Sequence, residues 1–352
     1  MSLQMCSRRR LSIPCEKDHI VRVHLASFVT AASIVVMQPA VSALGADKVK
    51  FLLDWFPSGE VCFPYIGIKE GFFAAEDIDV TVDIGRGGAD AVVRVANGAD
   101  DFGGAALNPL MTAAAESKAP LKAVMSVYTK QPDAIFTPQG SPIKTIKDLA
   151  GRSLATATFS SSNALWPVIA RANGLDPDSV KLLKVDNNAL GPMLASGRVD
   201  ATITWVTSGP ADARLLKQAG KQLSILPWTA AGLEGYGWSI LASDKIIKEH
   251  PDTVRRFVRA FIKTVEFTAK NPEKAGQDLH DLVPNADLDS NTDEIRATVP
   301  LVKNEITEKY GTGSLDPAWL QKTWEWVAKA QGYPLDKVNP ETLVDRSFLP
   351  KP

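Results

Sequence analysis

A chain of 352 residues with 45% hydrophobic content can bury a large core, and at this length two lobes or domains are expected. Its formal net charge of −1 gives no sign of a nucleic-acid partner. The three cysteines, Cys6, Cys15 and Cys62, are too few and too scattered for a disulfide framework or a cysteine-only zinc site.

The first 46 residues read as an export signal rather than as part of the fold. Arg8, Arg9, Arg10, Lys17 and Arg22 precede an uncharged run from Leu25 to Met37, and small residues follow through Ala46. That is the layout of a cleavable secretory signal peptide, with cleavage after Ala43 or Ala46. The alternative is an uncleaved anchor, although the apolar core is short for a spanning helix. Ser7-Arg8-Arg9-Arg10-Leu11 is similar to a twin-arginine signal but lies far from the apolar core. Cleavage would remove Cys6 and Cys15 and leave a soluble exported chain.

Lys48 to Leu53 predicts a buried strand, stopped by Pro57 and Gly59. A helix is expected through Tyr65–Glu70, and Ile78–Ile84 alternates as a second strand. Gly85, Gly87 and Gly88 then precede a helix around Asp90–Ala96. This alternation implies an α/β fold with parallel-type sheets. Ala96–Ala105 and Ala195–Thr204 form a weak internal repeat, each a helix ending near a Gly, a turn through Asp and a short strand. Chance similarity is the alternative. If real, the repeat places the loops after those strands, at Leu107-Asn108-Pro109 and Trp205-Val206-Thr207-Ser208-Gly209-Pro210, opposite each other across a cleft.

Thr156-Ala157-Thr158-Phe159-Ser160-Ser161-Ser162 joins an expected strand to an expected helix, Ala164–Gly174. Helix starts carry unpaired N–H groups and favour anionic or strongly polar partners. The alternative is that Ser160 or Ser162 simply caps the helix. Beyond Ala242 the chain is expected to be helical. Val254, Phe257, Val258, Phe261, Ile262 and Val265 form one apolar face, and Asp316-Pro317 opens a helix ending at Gly332. Trp319, Trp324 and Trp326 are expected to pack in the core or a groove. No His-Glu-x-x-His, paired-cysteine, Gly-x-Ser-x-Gly, phosphate-loop or full dinucleotide motif occurs, so no catalytic residue, cofactor or metal site is indicated.

The ordered set Phe51–Pro57, Gly67–Phe73, Ile146–Arg152, Leu194–Ala201 and Ala242–Ile247 resembles solute-binding proteins of ABC importers. The branch is the one covering taurine, alkanesulfonates, nitrate and the thiamine-pyrimidine precursor. The resemblance implies a two-lobed periplasmic-binding-protein fold of type II with C-terminal helices. Lobe I would be 47–137 plus 231–352, and lobe II 138–230. It also implies a periplasmic monomer that traps a small solute and hands it to an inner-membrane permease. The ligand residues it implies are Asp54, Trp55, Glu60, Asn108, Thr158, Ser160, Ser161, Trp205 and Tyr236, with Glu234 as a further candidate. Trp55 could instead be core packing and Glu60 a solvated turn residue. Trp55, Trp205 and Tyr236 would sandwich a flat ring, and Asp54 and Glu60 would accept from its amino groups, as in a pyrimidine precursor of thiamine. Two rivals share the fold: a thiamine-pyrimidine synthase-like enzyme and a periplasmic sensor. The enzyme would need an active-site histidine and a cysteine-rich segment, neither of which this sequence carries at the matching loop.

Overall fold

The computed structural model describes residues 45–117 and 119–350. All but the last two residues of the expected export signal lie outside that range. Among the described residues no helix is long and apolar enough to cross a membrane.

Ten strands form two five-stranded sheets. They are β1 Asp47–Leu53, β2 Ile78–Ile84, β3 Phe102–Ala106, β4 Leu121–Ser126, β5 Asp133–Pro138, β6 Ser153–Ala157, β7 Lys181–Val185, β8 Ala201–Trp205, β9 Leu223–Pro227 and β10 Trp238–Ser243. The strand orders are β2-β1-β3-β10-β4 and β7-β6-β8-β5-β9. The orders are the same topology used twice. The internal repeat is therefore structural: β3 and β8, which follow its two copies, are the third strands of their sheets.

The sheets are mixed rather than purely parallel. β10 runs antiparallel to β3 and β4, and β5 runs antiparallel to β8 and β9. The cause is the way the chain changes sheets. The parallel strands end at the cleft, so a chain leaving one sheet there enters the next sheet at its cleft edge and must run away from it. β5, expected at the end of the first lobe, belongs to the second sheet for this reason. The sheet changes fall at residues 127–132 and 228–237.

The core is fixed largely by the helix Pro251–Lys270, which buries all six residues of its expected apolar face. Phe257 stacks on Phe102 of β3 with ring centroids 4.0 Å apart and planes 8° apart. Burying an aromatic or aliphatic side chain of this kind contributes about 1.5–3 kcal/mol. The helix Pro317–Gln331 starts where Asp316 accepts from the Trp319 N–H at 2.9 Å, and stops at Gly332, whose φ is +70°. Trp324 is fully buried beneath it, and Trp319 and Trp326 pack at the edge of the same core.

Candidate functional site

The carboxyl ends of β1 and β8 point into a cavity of about 390 Å³ between the two sheets. Asp54, Trp55, Glu60, Gly88, Ser160, Ser161, Ile203, Thr204 and Trp205 line it. Six of the nine expected ligand residues are thus brought together. Asn108 stands one layer behind, fully buried, with its Nδ2 donating to the Ser161 carbonyl at 2.5 Å. It holds the second lobe's hydroxyl turn from the first lobe.

Two expectations are corrected. Tyr236 is completely buried away from the cavity, its hydroxyl accepting from the Asp316 N–H at 2.5 Å and its own N–H donating to Thr323 Oγ1 at 2.9 Å. The helix Pro317–Gln331 covers the crossover here, so the aromatic ring fills core, and of the three expected aromatics only Trp55 and Trp205 line the cavity. Thr158 is exposed and donates to the Val185 carbonyl at 3.1 Å, tying β6 to β7. Glu234 is paired at the surface with Lys322 at 2.6 Å.

The hydroxyl turn also differs from expectation. A 3-10 turn, Ser161–Ala164, intervenes before the helix Trp166–Ala172, and Ser160 caps it by accepting from the Ser162 N–H at 3.2 Å. Ser162 spends its hydroxyl on Asp133 at 2.5 Å, and Thr156 donates to Asn163 at 2.9 Å. Most of the hydroxyls therefore hold the protein's own groups. Only Ser160 and Ser161 remain on the cavity wall, which is weak equipment for an anion.

Carboxyl groups set the electrostatics instead. Asp54 is buried and accepts from the Trp238 Nε1–H at 2.9 Å, and burial pushes its pKa up to about 7. Trp238 can stand there because Gly104 of β3 has no side chain: a Cβ at that position would lie 2.0 Å from the indole. Glu60 sits in the buried 3-10 turn Gly59–Val61, and its Oε2 accepts from Thr207 Oγ1 at 2.7 Å and Ser208 Oγ at 2.8 Å. Burial raises its pKa, opposed by those two hydroxyls. Tyr128 fixes the turn by donating to the Glu60 carbonyl, and its ring meets Trp205 edge-on at 6.0 Å. No basic side chain lines the cavity.

Loops of the two sheets touch beside this cavity. Besides the Glu60 and Asn108 bonds, the turn at Gly87, with φ +146°, lies against Phe159, whose carbonyl a Cβ would approach to 2.2 Å. The Arg86 guanidinium covers the Phe159 ring at 4.4 Å. Gly88, Thr204 and Trp238 were not singled out as site residues in the sequence, whereas Thr207 and Ser208 lie in the loop expected to face the cleft. The signal for Trp238 was available in Gly103-Gly104, an unusual pair inside a strand, since glycine there marks a close approach.

Two sheets of identical topology, linked twice and meeting around a cavity at their carboxyl edges, define the periplasmic-binding-protein fold. The chain belongs to the NMT1/THI5-like family, whose model matches residues 59–275. It is 24% identical over 313 residues to the riboflavin-binding protein RibY of Chloroflexus aurantiacus, covering 86% of each chain. It is 26% identical over 265 residues to the formylaminopyrimidine-binding protein of Halalkalibacterium halodurans, covering 75% of each. The alkanesulfonate-binding protein SsuA from Xanthomonas axonopodis superposes with a TM-score of 0.65 at 18% identity, over 87% of this chain and all of that one. That last similarity shows the shared fold.

Proposed function

We propose that this chain is the periplasmic solute-binding component of an ABC importer, exported by a signal in residues 1–46, and that it traps a small heteroaromatic solute for delivery to a permease. Lobe I would comprise the first sheet and the C-terminal helices, and lobe II the second sheet, residues 133–227, with hinges at 127–132 and 228–237. The observation that carries the reading is the cavity itself. Trp55 and Trp205 offer flat apolar faces, and Asp54 and Glu60 are acceptors for amino or ring N–H groups. A sulfonate or nitrate would face buried carboxyls with no base on the wall, which costs a few kcal/mol. The similarity to riboflavin- and formylaminopyrimidine-binding proteins supports a ring ligand, and a pyrimidine precursor of thiamine fits the donor pattern.

The synthase-like reading would call for a reactive cysteine and a histidine at the cavity. Cys62 is fully buried, burial pushes its thiol pKa up, and His250 and His280 stand outside the cavity wall. The sensor reading uses the same cleft and would be favoured by gene neighbours lacking an ATPase and a permease.

A thermal-shift screen of pyrimidines, flavins, aromatic acids, alkanesulfonates and nitrate tests the proposal. A ligand at 100 times its Kd should add about 2.7 kcal/mol of stability. Trp55→Ala should cost a ring ligand about 1 kcal/mol or more through lost stacking. Stabilisation by alkanesulfonates with no response to any heterocycle would sink the ring reading, and an unchanged affinity in Trp55→Ala would place that ring outside the site.

A further inference from the structure

A second cavity, of about 580 Å³, adjoins the first and shares Trp55, Glu60 and Thr204 with it. The geometry points to this annex as a subsite for a positively charged organic group, an ammonium or amidinium arm carried on the ring that occupies the main cavity. The inference rests on the ring-ligand reading above and adds the charge of the ligand to it.

Three carboxyl groups face the annex from three elements. Glu60 comes from the 3-10 turn of the first lobe, Glu294 from the helix Leu288–Val302, and Asp212 from the helix Gly209–Gln218 of the second lobe. Glu60 and Glu294 are partly satisfied: Glu294 Oε2 accepts from the Gly59 N–H at 2.9 Å. Asp212 is not. It is only 8% exposed, it lines the annex, and among the described residues no donor bonds to its carboxylate. A buried carboxylate without a donor is costly, and a ligand cation is the partner that would repay it.

The rest of the wall agrees with that assignment. It holds no lysine, arginine or histidine. The base acting on Glu294 is Arg214, whose Nη2 is paired with Asp293 at 2.5 Å while its Nη1 is buried without a partner. Trp55 and Phe56 stand with ring centroids 5.6 Å apart on one side, and aromatic faces attract organic cations. Asn187 and Asn188 also line the annex, with Asn187 Oδ1 accepting from the Asn188 N–H at 3.1 Å. A metal ion is the less apt guest, because among the described residues no group of three His, Cys, Asp or Glu side chains is arranged to hold one. Both lobes contribute carboxyls, so a cationic arm in the annex would also help to hold the cleft closed.

Isothermal titration with ring-matched amine and alcohol pairs tests this. The probes are an aminopyrimidine with an aminomethyl or hydroxymethyl arm, tryptamine with tryptophol, and benzylamine with benzyl alcohol. On at least one ring the amine should bind about tenfold tighter or more. The preference should largely vanish in Asp212→Asn and in Glu294→Gln, while affinity for the alcohol is kept. Equal binding of amine and alcohol, or a preference that survives in both variants, overturns the annex and leaves the ring reading standing. No binding by either member of any pair overturns the two together.

Discussion

Glu60→Ala should weaken capture of the ligand by about 10- to 100-fold and leave the loaded protein more extended in solution. Glu60 follows β1 of the first sheet, and its two hydroxyl donors, Thr207 and Ser208, follow β8 of the second. Both bonds reach the same oxygen, and under the proposed opening of the two lobes both would break. Hydrogen bonds to a charged or strongly polar buried group contribute about 1.5–3 kcal/mol, and one such contribution accounts for the stated range. The free protein should melt no lower than wild type, because removing a buried carboxyl also removes its desolvation cost. That separates a closing contact from an ordinary core residue, whose loss would lower the melting temperature. The double variant Thr207→Ala/Ser208→Ala should reproduce the loss of affinity from the other side of the cleft. Titration calorimetry and small-angle scattering, with and without ligand, read the two effects. Affinity and compaction both unchanged from wild type would show that Glu60 does not hold the cleft.

What could be seen in the sequence was whatever local pattern decides. β1, β2 and the helix Pro251–Lys270 follow from hydrophobic periodicity over short windows. The repeat placed β3 and β8 correctly because a Gly-turn-Asp signal precedes each strand. Asp54, Trp55 and Glu60 came together because they follow one strand in sequence and stand at its cleft end. The failures are non-local. Whether Tyr236 faces a ligand or the core depends on a helix some eighty residues further on, whose Asp316 and Thr323 bond to it. β5 looks like the continuation of β4 in sequence, and only its pairing with β8 and β9 moves it to the second sheet. The annex was invisible for the same reason. Asp212 and Glu294 are ordinary helix residues until the two helices meet across the cleft, and no spacing rule links residues eighty positions apart.

The buried carboxyls also predict how stability changes with pH. Burial pushes Asp133 to about 6, Asp54 and Asp212 to about 7, and Glu294 to about 8. Glu60 raises Asp54, Asp212 and Glu294 further through like charge, Asp212 does the same to Glu294, and Arg214 opposes it. Unfolded carboxyls titrate near 4. Between about pH 4 and pH 7–8 the folded state therefore holds protons that the unfolded state has released, and stability falls as pH rises through that window, by at most about 1.4 kcal/mol per pH unit for each group. The ion-paired or hydrogen-bonded carboxylates at Asp47, Glu76 and Asp200 have lowered values and act the other way, losing their contribution as pH falls through the acid range. Melting temperature without ligand should thus peak near pH 5 and decline towards pH 8. Asp212→Asn isolates one group, because no hydrogen bond is lost with the charge. At pH 5 folded Asp212 still carries its proton while the unfolded chain has largely released it, so the wild type has by then lost only about 1 kcal/mol to this group. Between pH 5 and pH 8 the variant's advantage over wild type should widen by about 1–3 kcal/mol, because only the wild type has a carboxyl to ionise in the folded state. Thermal melts of both proteins across this range decide the matter. Parallel curves, with the same offset at pH 5 and pH 8, would mean that Asp212 titrates alike in the folded and unfolded chain.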